Sequence, residues 1–412
     1  MKIVAFFQNP YRYLPEGFEE KYPSVVTTPY FSLVDPEKVT EAFHWHVEEV
    51  LHAVRMGFDG IAVTEHSQSS YDMAPNPDLV AAIAAFISQV EGYRCAIVVL
   101  GRALGKTHEP LKIAEEYAIL DHLSGGRLVA GFPVGLSYDA SLNNGVPPME
   151  VRGRFYEAFR LVTRAWSEPE PFAWNGRYWQ FPFVNIWPRP LQQPRPPVWV
   201  PGIGNPETMS WMLTNDAVFA YLSWFGLKLT GQRIFDRFWS IAAEKGVEAN
   251  PFRVAYLQVV AVGASDADAE RRYRPHLEYF FRKGLGAIPP NWLALPGNID
   301  IRGLEAVVRD PSDFGLYLRM REASYRDLVD SQCAVVGGAD TVAQQLEEIV
   351  RTHRIGNLVV MLQFGSMPLE LAQENIERFA REVMPRLRPI WEDEGFIHHW
   401  WPAAASMHSA RA

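Results

Sequence analysis

Short apolar runs alternate with longer amphipathic segments along most of the chain, and this alternation limits the fold more than any other feature. In the N-terminal third, the intervening segments repeat their apolar residues with the period of a helix. The strand-like runs there are Ile3–Phe7, Ile61–Thr64, Ala96–Leu100 and Leu128–Phe132. Since a strand, a helix and a second strand form the unit of a parallel sheet, this part of the chain predicts such a sheet.

The remaining strand-like runs bear on the choice between two parallel folds. They lie at Val198–Val200, Val218–Leu222, Val254–Val262 and Leu358–Leu362, which makes eight in all. Eight such strands with helices between them fit a closed barrel, and no reversal of strand order is indicated. We predict an α/β fold of the (β/α)8 (TIM) barrel type, with insertions after strands four and seven. An open, doubly wound sheet is the alternative.

Three segments fall outside the alternation of strands and helices. The proline-rich stretch 169–197 predicts an excursion after strand four, with a small hairpin at the Asn-Gly pair that begins at Asn175. Residues 263–335 are too long for one helical connection and are predicted to form a lid. The chain is thus predicted to be a single barrel domain over 1–395. The C-terminal tail, 396–412, lacks periodicity and is expected to be exposed or disordered.

Charge and hydropathy exclude several classes of partner. The net charge is −9, and no cluster of basic residues is present, so neither nucleic acid nor an anionic membrane surface is expected. The longest uncharged run, Gly284–Ile299, is interrupted by prolines and predicts no membrane span. The two cysteines, Cys95 and Cys333, fit no ligand pattern, and no metal site is expected. No secretory signal is recognised, so the expected location is the cytoplasm.

The loop after strand five has two glycines before the start of a helix. Gly202 and Gly204 permit a tight turn, and Asn205 and Thr208 open the helix that follows. Backbone amides and the dipole of a helix N-terminus attract phosphate, but Asn is also a common N-cap residue. The residues alone therefore leave a phosphate site and ordinary helix capping open. The third glycine of a dinucleotide-binding fingerprint is absent.

An acidic residue and a histidine, Glu65 and His66, follow strand two at the end of a barrel where ligands bind. A neighbouring carboxylate can hold an imidazole in one tautomer and raise its pKa, which would make His66 a general acid or base. A buried hydrogen bond of Glu65 and a loop-capping role of His66 explain the same pair. Both interpretations stay open at this point.

Four stretches of the sequence together resemble the bacterial luciferase-like, flavin-dependent monooxygenase superfamily. The most specific lies within residues 108–131, where a helix ends in Leu-Asp-His-Leu-Ser-Gly-Gly-Arg127 before a strand that contains a glycine. The others are residues 57–66, 154–161 and 197–208. The resemblance implies a TIM barrel that uses reduced FMN and O2 to oxygenate an unidentified small organic substrate, through a flavin hydroperoxide.

The resemblance also assigns catalytic roles. The catalytic histidine of the family corresponds to His66, with Glu65 orienting it. The second residue of the family's frequent His-His pair is Ser67 in this chain, which puts the role of that second histidine in doubt.

Flavin-binding positions follow in the same way. The flavin phosphate site corresponds to the loop after strand five, which contains Gly202, Gly204, Asn205 and Thr208. Further flavin contacts are implied for Gly135, Leu136, Ser137 and Ser223. The arginine that contacts phosphate after strand four in bacterial luciferases is matched by Val134, so that contact is absent or supplied elsewhere.

The partners that the resemblance implies are a small substrate, O2 and a separate flavin reductase, with NAD(P)H involved only indirectly. A homodimer is expected by analogy with the family. Two other functions stay open on the same fold. One is hydride transfer with a deazaflavin, and the other is a catalytically silent flavin-binding barrel.

Overall fold

The computed structural model describes residues 1–22, 24–222, 226–288, 292, 295 and 320–405, and the core of this part is a barrel of parallel strands. Its strands are β1 (Lys2–Phe7), β2 (Gly60–Val63), β3 (Ala96–Val99), β4 (Leu128–Gly131), β7 (Val198–Gly202), β8 (Val218–Leu222), β9 (Val254–Gly263) and β11 (Asn357–Met361). They are rich in Val, Ile and Ala and almost entirely buried, as expected for strands covered on both faces.

Helices connect the strands and surround the barrel. They are α1 (Phe18–Lys21), α2 (Tyr30–Leu33), α3 (Pro36–Arg55), α4 (Asp78–Glu91), α5 (Pro110–Ser124), α6 (Val151–Ser167), α7 (Pro206–Thr214), α8 (Gln232–Glu244), α9 (Asp266–Tyr279), α10 (Tyr325–Asp330), α11 (Ala339–His353), α12 (Leu369–Arg378) and α13 (Met384–Leu387). Helix α3 shows how their ends are set, because Asp35 accepts a hydrogen bond from the Glu37 amide and Pro36 fills the first helical position. Among the described helices, none has the length and apolar character needed to cross a membrane.

The pairing of the strands closes the barrel. The order runs β11, β1, β2, β3, β4, β7, β8, and β9 then pairs with both β8 and β11. All of these pairs are parallel. The closed circle confirms the predicted (β/α)8 barrel and rules out the open sheet.

A strand that the sequence did not indicate, β10 (Ala334–Gly338), extends the sheet. It pairs with the second half of β9, from Val259 to Gly263. It lies at the end of segment 263–335, and α9 at the start of that segment packs against both β9 and β10. The described ends of the segment are therefore part of the barrel wall. The lid within it and the domain boundaries remain predictions.

The excursion between β4 and β7 contains the predicted hairpin. Strands β5 (Phe172–Asn175) and β6 (Gln180–Val184) pair in antiparallel fashion, with Asn175 opposite Gln180. The carboxylate of Glu157 on α6 accepts hydrogen bonds from three backbone amides of the connecting turn, those of residues 177, 178 and 179. These bonds attach the hairpin to the outer helix layer.

The C-terminal tail covers the amino end of the barrel. The expectation of disorder is wrong for residues 396–405, and the expectation of exposure is wrong for Trp400 and Trp401 but holds for Ile397, His399 and Ala403. Trp400 and Trp401 are only 3% and 4% exposed. The Trp199 indole N–H at the start of β7 donates to the Trp400 carbonyl oxygen at 3.3 Å, and the Trp199 and Trp401 rings lie 6.1 Å apart. The tail is ordered by the area that its large rings bury, which needs no periodic sequence pattern.

Candidate active site

His66 is held by groups that follow two different strands at the carboxyl end of the barrel. Its Nδ1 lies 3.1 Å from Asp139 Oδ2 and 3.2 Å from the Tyr138 hydroxyl. Asp139 and Tyr138 belong to a π-helical turn, Tyr138–Asn143, in the connection after β4. The other oxygen of Asp139 accepts from the backbone N–H of Ser67 at 3.2 Å. The carboxylate is thereby fixed against the loop that carries the imidazole.

The ionic state of this pair follows from burial and from the hydrogen bond. Burial lowers the pKa of His66, but the hydrogen bond and charge of Asp139 outweigh it, so the pKa is raised. Burial would raise the pKa of Asp139, but the contact with His66 makes the net direction downward. Because Nδ1 faces the carboxylate, Nε2 is left without a hydrogen-bond partner among the described residues. It is the ring nitrogen open to a ligand.

Glu65 does not orient His66, and this part of the sequence prediction is wrong. Its carboxylate accepts from the Ala103 backbone N–H at 3.1 Å and lies 3.4 Å from Lys106 Nζ. The alternating direction of side chains explains the error, because successive residues of an extended chain point to opposite faces. The orienting carboxylate is Asp139, which lies 73 positions further along the chain.

Lys106 joins the two carboxylates. Its Nζ lies 3.4 Å from Glu65, 3.9 Å from Asp139 and 3.2 Å from the Ser67 hydroxyl oxygen. Its side chain is 5% exposed, so this ion-pair network is largely shielded from water. A cavity of about 180 Å³ opens beside it, lined in part by Glu65, Lys106 and Asn144.

The glycine loop after β7 has features expected of a helix cap and features expected of a phosphate site. Asn205 is the N-cap of α7, and its side chain accepts from the Thr208 backbone N–H at 3.0 Å. Gly204 has φ of +99°, a conformation that other residues rarely adopt, and a Cβ there would lie 2.9 Å from Ile234. The capping interpretation therefore holds for the Asn205 side chain. Phosphate binding by the loop remains a prediction.

Two arginines that the sequence did not single out lie at this loop. Arg152, at the start of α6, donates to the Thr208 hydroxyl oxygen at 2.6 Å. Arg237 of α8 donates to the Gly204 carbonyl oxygen at 3.4 Å. They bring positive charge to this loop. Val134, the residue after β4 that matches the phosphate-contacting arginine of bacterial luciferases, brings none. Their position depends on the packing of separate helices, which no short motif reveals.

The other predicted flavin contacts lie in the connection after β4 or outside the described residues. Gly135 has φ of +115°, and Leu136 and Ser137 lead into the turn that carries Asp139. Ser137 is buried and Leu136 is half-buried. Ser223 lies outside the described residues. In the closed strand order, β2 with His66 and β7 with the glycine loop are separated by β3 and β4. The two groups thus lie on well-separated parts of one rim.

Known proteins resemble the chain over most of its length. A protein from Sinorhizobium fredii named uncharacterized protein y4wF is 26% identical over 349 residues, which span 81% of this chain and 88% of that one. The oxygenating constituent of 3,6-diketocamphane monooxygenase from Pseudomonas putida, solved in complex with FMN, superimposes with a TM-score of 0.69. It is 19% identical, and the match covers 93% of this chain and 98% of that one.

A second solved structure has the same fold with another cofactor. An F420-dependent secondary alcohol dehydrogenase, in complex with an F420-acetone adduct, superimposes with a TM-score of 0.61 at 15% identity, covering 94% of this chain and 99% of that one. The model of the luciferase-like monooxygenase family matches residues 24–354. The chain therefore belongs to the luciferase-like monooxygenase family and is an oxidoreductase.

Proposed function

We propose that the chain is a monooxygenase that uses reduced FMN and O2 to oxygenate a small organic substrate. The observation that carries the proposal is the His66–Asp139 pair on the same rim as the glycine loop with its two arginines. One part supplies a proton-bearing group and the other an anion site. Reduced FMN would supply the reaction with O2, through a flavin hydroperoxide, and the protein would supply position, charge and shelter from water.

The loop after β7 fits the phosphate of FMN. The start of α7 presents backbone amides and the positive end of the helix dipole. Arg152 and Arg237 add two guanidinium groups, which suit phosphate oxygens. Gly204, whose missing side chain lets the backbone turn closely, keeps the loop compact. We expect these residues, with Thr208, to hold the phosphate.

His66 would act as a hydrogen-bond donor and proton carrier through Nε2. Asp139 holds the ring by Nδ1 and favours its protonated form, so that a proton on Nε2 can be offered to a ligand. The side chains of Lys106, Glu65 and Asp139 beside His66 are themselves largely shielded from water. Such shielding suits a reaction in which stray protons would destroy a reactive intermediate.

The proposed partners follow from the relatives. The 3,6-diketocamphane protein is described as an oxygenating constituent, which supports a separate reductase that delivers reduced flavin and consumes NAD(P)H. The F420-dependent neighbour supports the deazaflavin alternative equally well on fold alone. A homodimer and a cytoplasmic location complete the proposal and rest on family analogy and on the sequence.

An anaerobic titration tests the choice of cofactor. The purified protein is titrated with reduced FMN and, separately, with a reduced deazaflavin, and binding is followed by flavin fluorescence. We expect saturable binding of reduced FMN that is at least tenfold tighter than that of the deazaflavin. Tighter deazaflavin binding together with hydride transfer would replace the proposal by its alternative. Binding of FMN without any reaction with O2 or a hydride donor would indicate a silent barrel.

A further inference from the structure

Four buried polar side chains at the carboxyl end of the barrel have atoms without a hydrogen-bond partner among the described residues. Gln8, Asn9, Asp72 and Gln363 are each at most 2% exposed. Within the part of the chain that the structure describes, their unpartnered buried atoms are Gln8 Oε1, Asn9 Nδ2 and Oδ1, Asp72 Oδ2, and Gln363 Nε2 and Oε1. We call these four residues the amide cluster.

The two glutamines follow adjacent strands at the carboxyl end of the barrel. The Phe7 ring contacts His46 of the surrounding helix α3, so Phe7 faces outward and its neighbours Phe6 and Gln8 face inward. Phe6 is paired with Met361 of the adjacent strand β11. Gln8 and Gln363 each lie two residues beyond this pair, just past the carboxyl ends of β1 and β11.

The other two members connect the glutamines to His66. The backbone N–H of Asn9 donates to Asp72 Oδ1 at 3.1 Å, and the Met73 N–H donates to the Asn9 carbonyl oxygen at 2.7 Å. The charge of Asp72 acts on His66, whose ring centroid lies 5.1 Å from that of Tyr71. The amide cluster and His66 thus occupy one sector of the rim, formed by β11, β1 and β2.

Unpartnered buried amides are rare because each loses its hydrogen bonds to water on folding. Apolar side chains of the same size would fill these positions with a more stable protein. Several unpartnered amides lie in the same sector as a histidine whose Nε2 has no partner among the described residues, and a ligand explains this arrangement better than packing does. A ligand that satisfies a buried amide must present an acceptor for its N–H and, beside it, a donor for its carbonyl oxygen.

We infer that the amide cluster binds the substrate through a planar group in which an N–H donor adjoins a carbonyl oxygen, the pattern of a carboxamide or lactam. An amide side chain pairs with such a group by two parallel hydrogen bonds. This inference rests on the proposed function, because it takes the bound molecule to be the substrate of that reaction. It names the chemical class of that substrate. It favours a compact polar substrate over a hydrocarbon.

The flavin ring carries the same donor and acceptor pattern on its pyrimidine edge. The members of the cluster follow β1, β2 and β11, whereas the loop expected to hold the phosphate follows β7, directly across the closed strand order from β1. We therefore assign the cluster to the substrate. The affinity for FMN is measured in the same variants, so that a cluster that binds the substrate can be distinguished from one that binds the flavin ring.

Binding of two matched probe pairs tests the inference. Benzamide is compared with acetophenone, and δ-valerolactam with cyclohexanone, by ligand-observed NMR on the protein alone and on the protein saturated with FMN. We expect each amide to bind roughly tenfold more tightly than its ketone, about the effect of one net hydrogen bond. Gln8→Met and Gln363→Met should abolish that preference, leave the affinity for FMN unchanged and leave the melting temperature equal or higher.

Gln258→Met is the matched control. Gln258 is as buried as Gln363 but is hydrogen-bonded, to Tyr256 and to the carbonyl oxygens of residues 332 and 333. Its loss should lower the melting temperature and leave the preference for amides intact. This contrast separates a loss of binding from a general loss of stability.

Two results would overturn the inference. One is equal binding of amides and ketones, or a preference that survives both glutamine substitutions. The other is a loss of FMN affinity in those variants, which would assign the cluster to the flavin. The probe measurements on the protein without flavin do not depend on FMN binding. Failure of the proposed function would instead appear as absent binding of reduced FMN.

Discussion

The two ends of the barrel differ in the side chains that they bury. At the amino end, Trp199 and the tail residues Trp400 and Trp401 cover the core with buried indole rings. At the carboxyl end, His66 is paired with Asp139, and buried amides such as Gln363 have no partner among the residues that the structure describes. Apolar rings at one end stabilise the fold, whereas polar groups at the other end lower stability unless a ligand binds them. Because ligand sites of TIM barrels lie at the carboxyl end, the buried amides and the His66–Asp139 pair are where we expect function.

Loss of a tail indole should have the largest effect on stability. Trp401→Ala removes a ring that is 4% exposed, and we expect the free energy of unfolding to fall by about 3 kcal/mol. Urea denaturation measures the change. Ile397→Ala on the same tail, where the side chain is 73% exposed, should change it by less than about 0.5 kcal/mol. Equal, small effects would mean that the tail does not seal the barrel.

Loss of an arginine at the glycine loop should weaken cofactor binding without unfolding the protein. Arg152→Ala removes a charged donor beside Thr208, and we expect a loss of about 1.5–3 kcal/mol in binding, or roughly 10- to 100-fold in the Kd for FMN. Arg160→Ala, an exposed position on the same helix, is the control and should leave the Kd unchanged. Similar Kd values for both variants would argue against a phosphate at this loop.

Loss of the orienting carboxylate should change how stability depends on pH. The raised pKa of His66 adds stability at pH values below the pKa of this residue in the unfolded chain. That stability is lost as the pH rises through the pKa of His66 in the folded protein. The lowered pKa of Asp139 adds stability above its unfolded value, lost as pH falls through the folded pKa. Asp139→Asn should therefore lower stability by about 1 kcal/mol, chiefly between about pH 4 and 6.5.

The same variant has a spectroscopic readout. Without the Asp139 charge, the lowering effect of burial on His66 is no longer outweighed, and its pKa in an NMR titration should fall. Glu65→Gln is the matched control, since Glu65 contacts Ala103 and Lys106 and not the imidazole. A fall of the His66 pKa in the Glu65 variant and not in the Asp139 variant would reverse the assignment.

The barrel could be predicted because its strands are continuous apolar runs between helices of clear period. The hairpin followed from an Asn-Gly pair between aromatic residues, as Asn175 opposite Gln180 confirms. Strand β10 was missed because only a few apolar residues precede its two glycines, Gly337 and Gly338. The tail was missed because its burial depends on the shape of the open barrel end, which no local pattern encodes.

Only part of the candidate site was predicted from the sequence. His66 and the glycine loop follow strands, where position along the chain corresponds to position on the rim. Asp139 and Arg152 act from segments whose approach is set by packing of distant parts, 73 and 56 positions from their partners His66 and Thr208. The amide cluster has no motif, because its significance is the absence of partners, which only a structure can reveal.

The reaction of the reduced complex with oxygen tests the proposed function most directly. The protein is saturated anaerobically with reduced FMN and mixed rapidly with oxygenated buffer while the absorbance spectrum is recorded, for the wild type and for His66→Ala. We predict a flavin hydroperoxide spectrum in the wild type that lasts at least tenfold longer than in the variant, with FMN binding equal in both. Immediate reoxidation at the same rate in both proteins would contradict a monooxygenase that depends on His66.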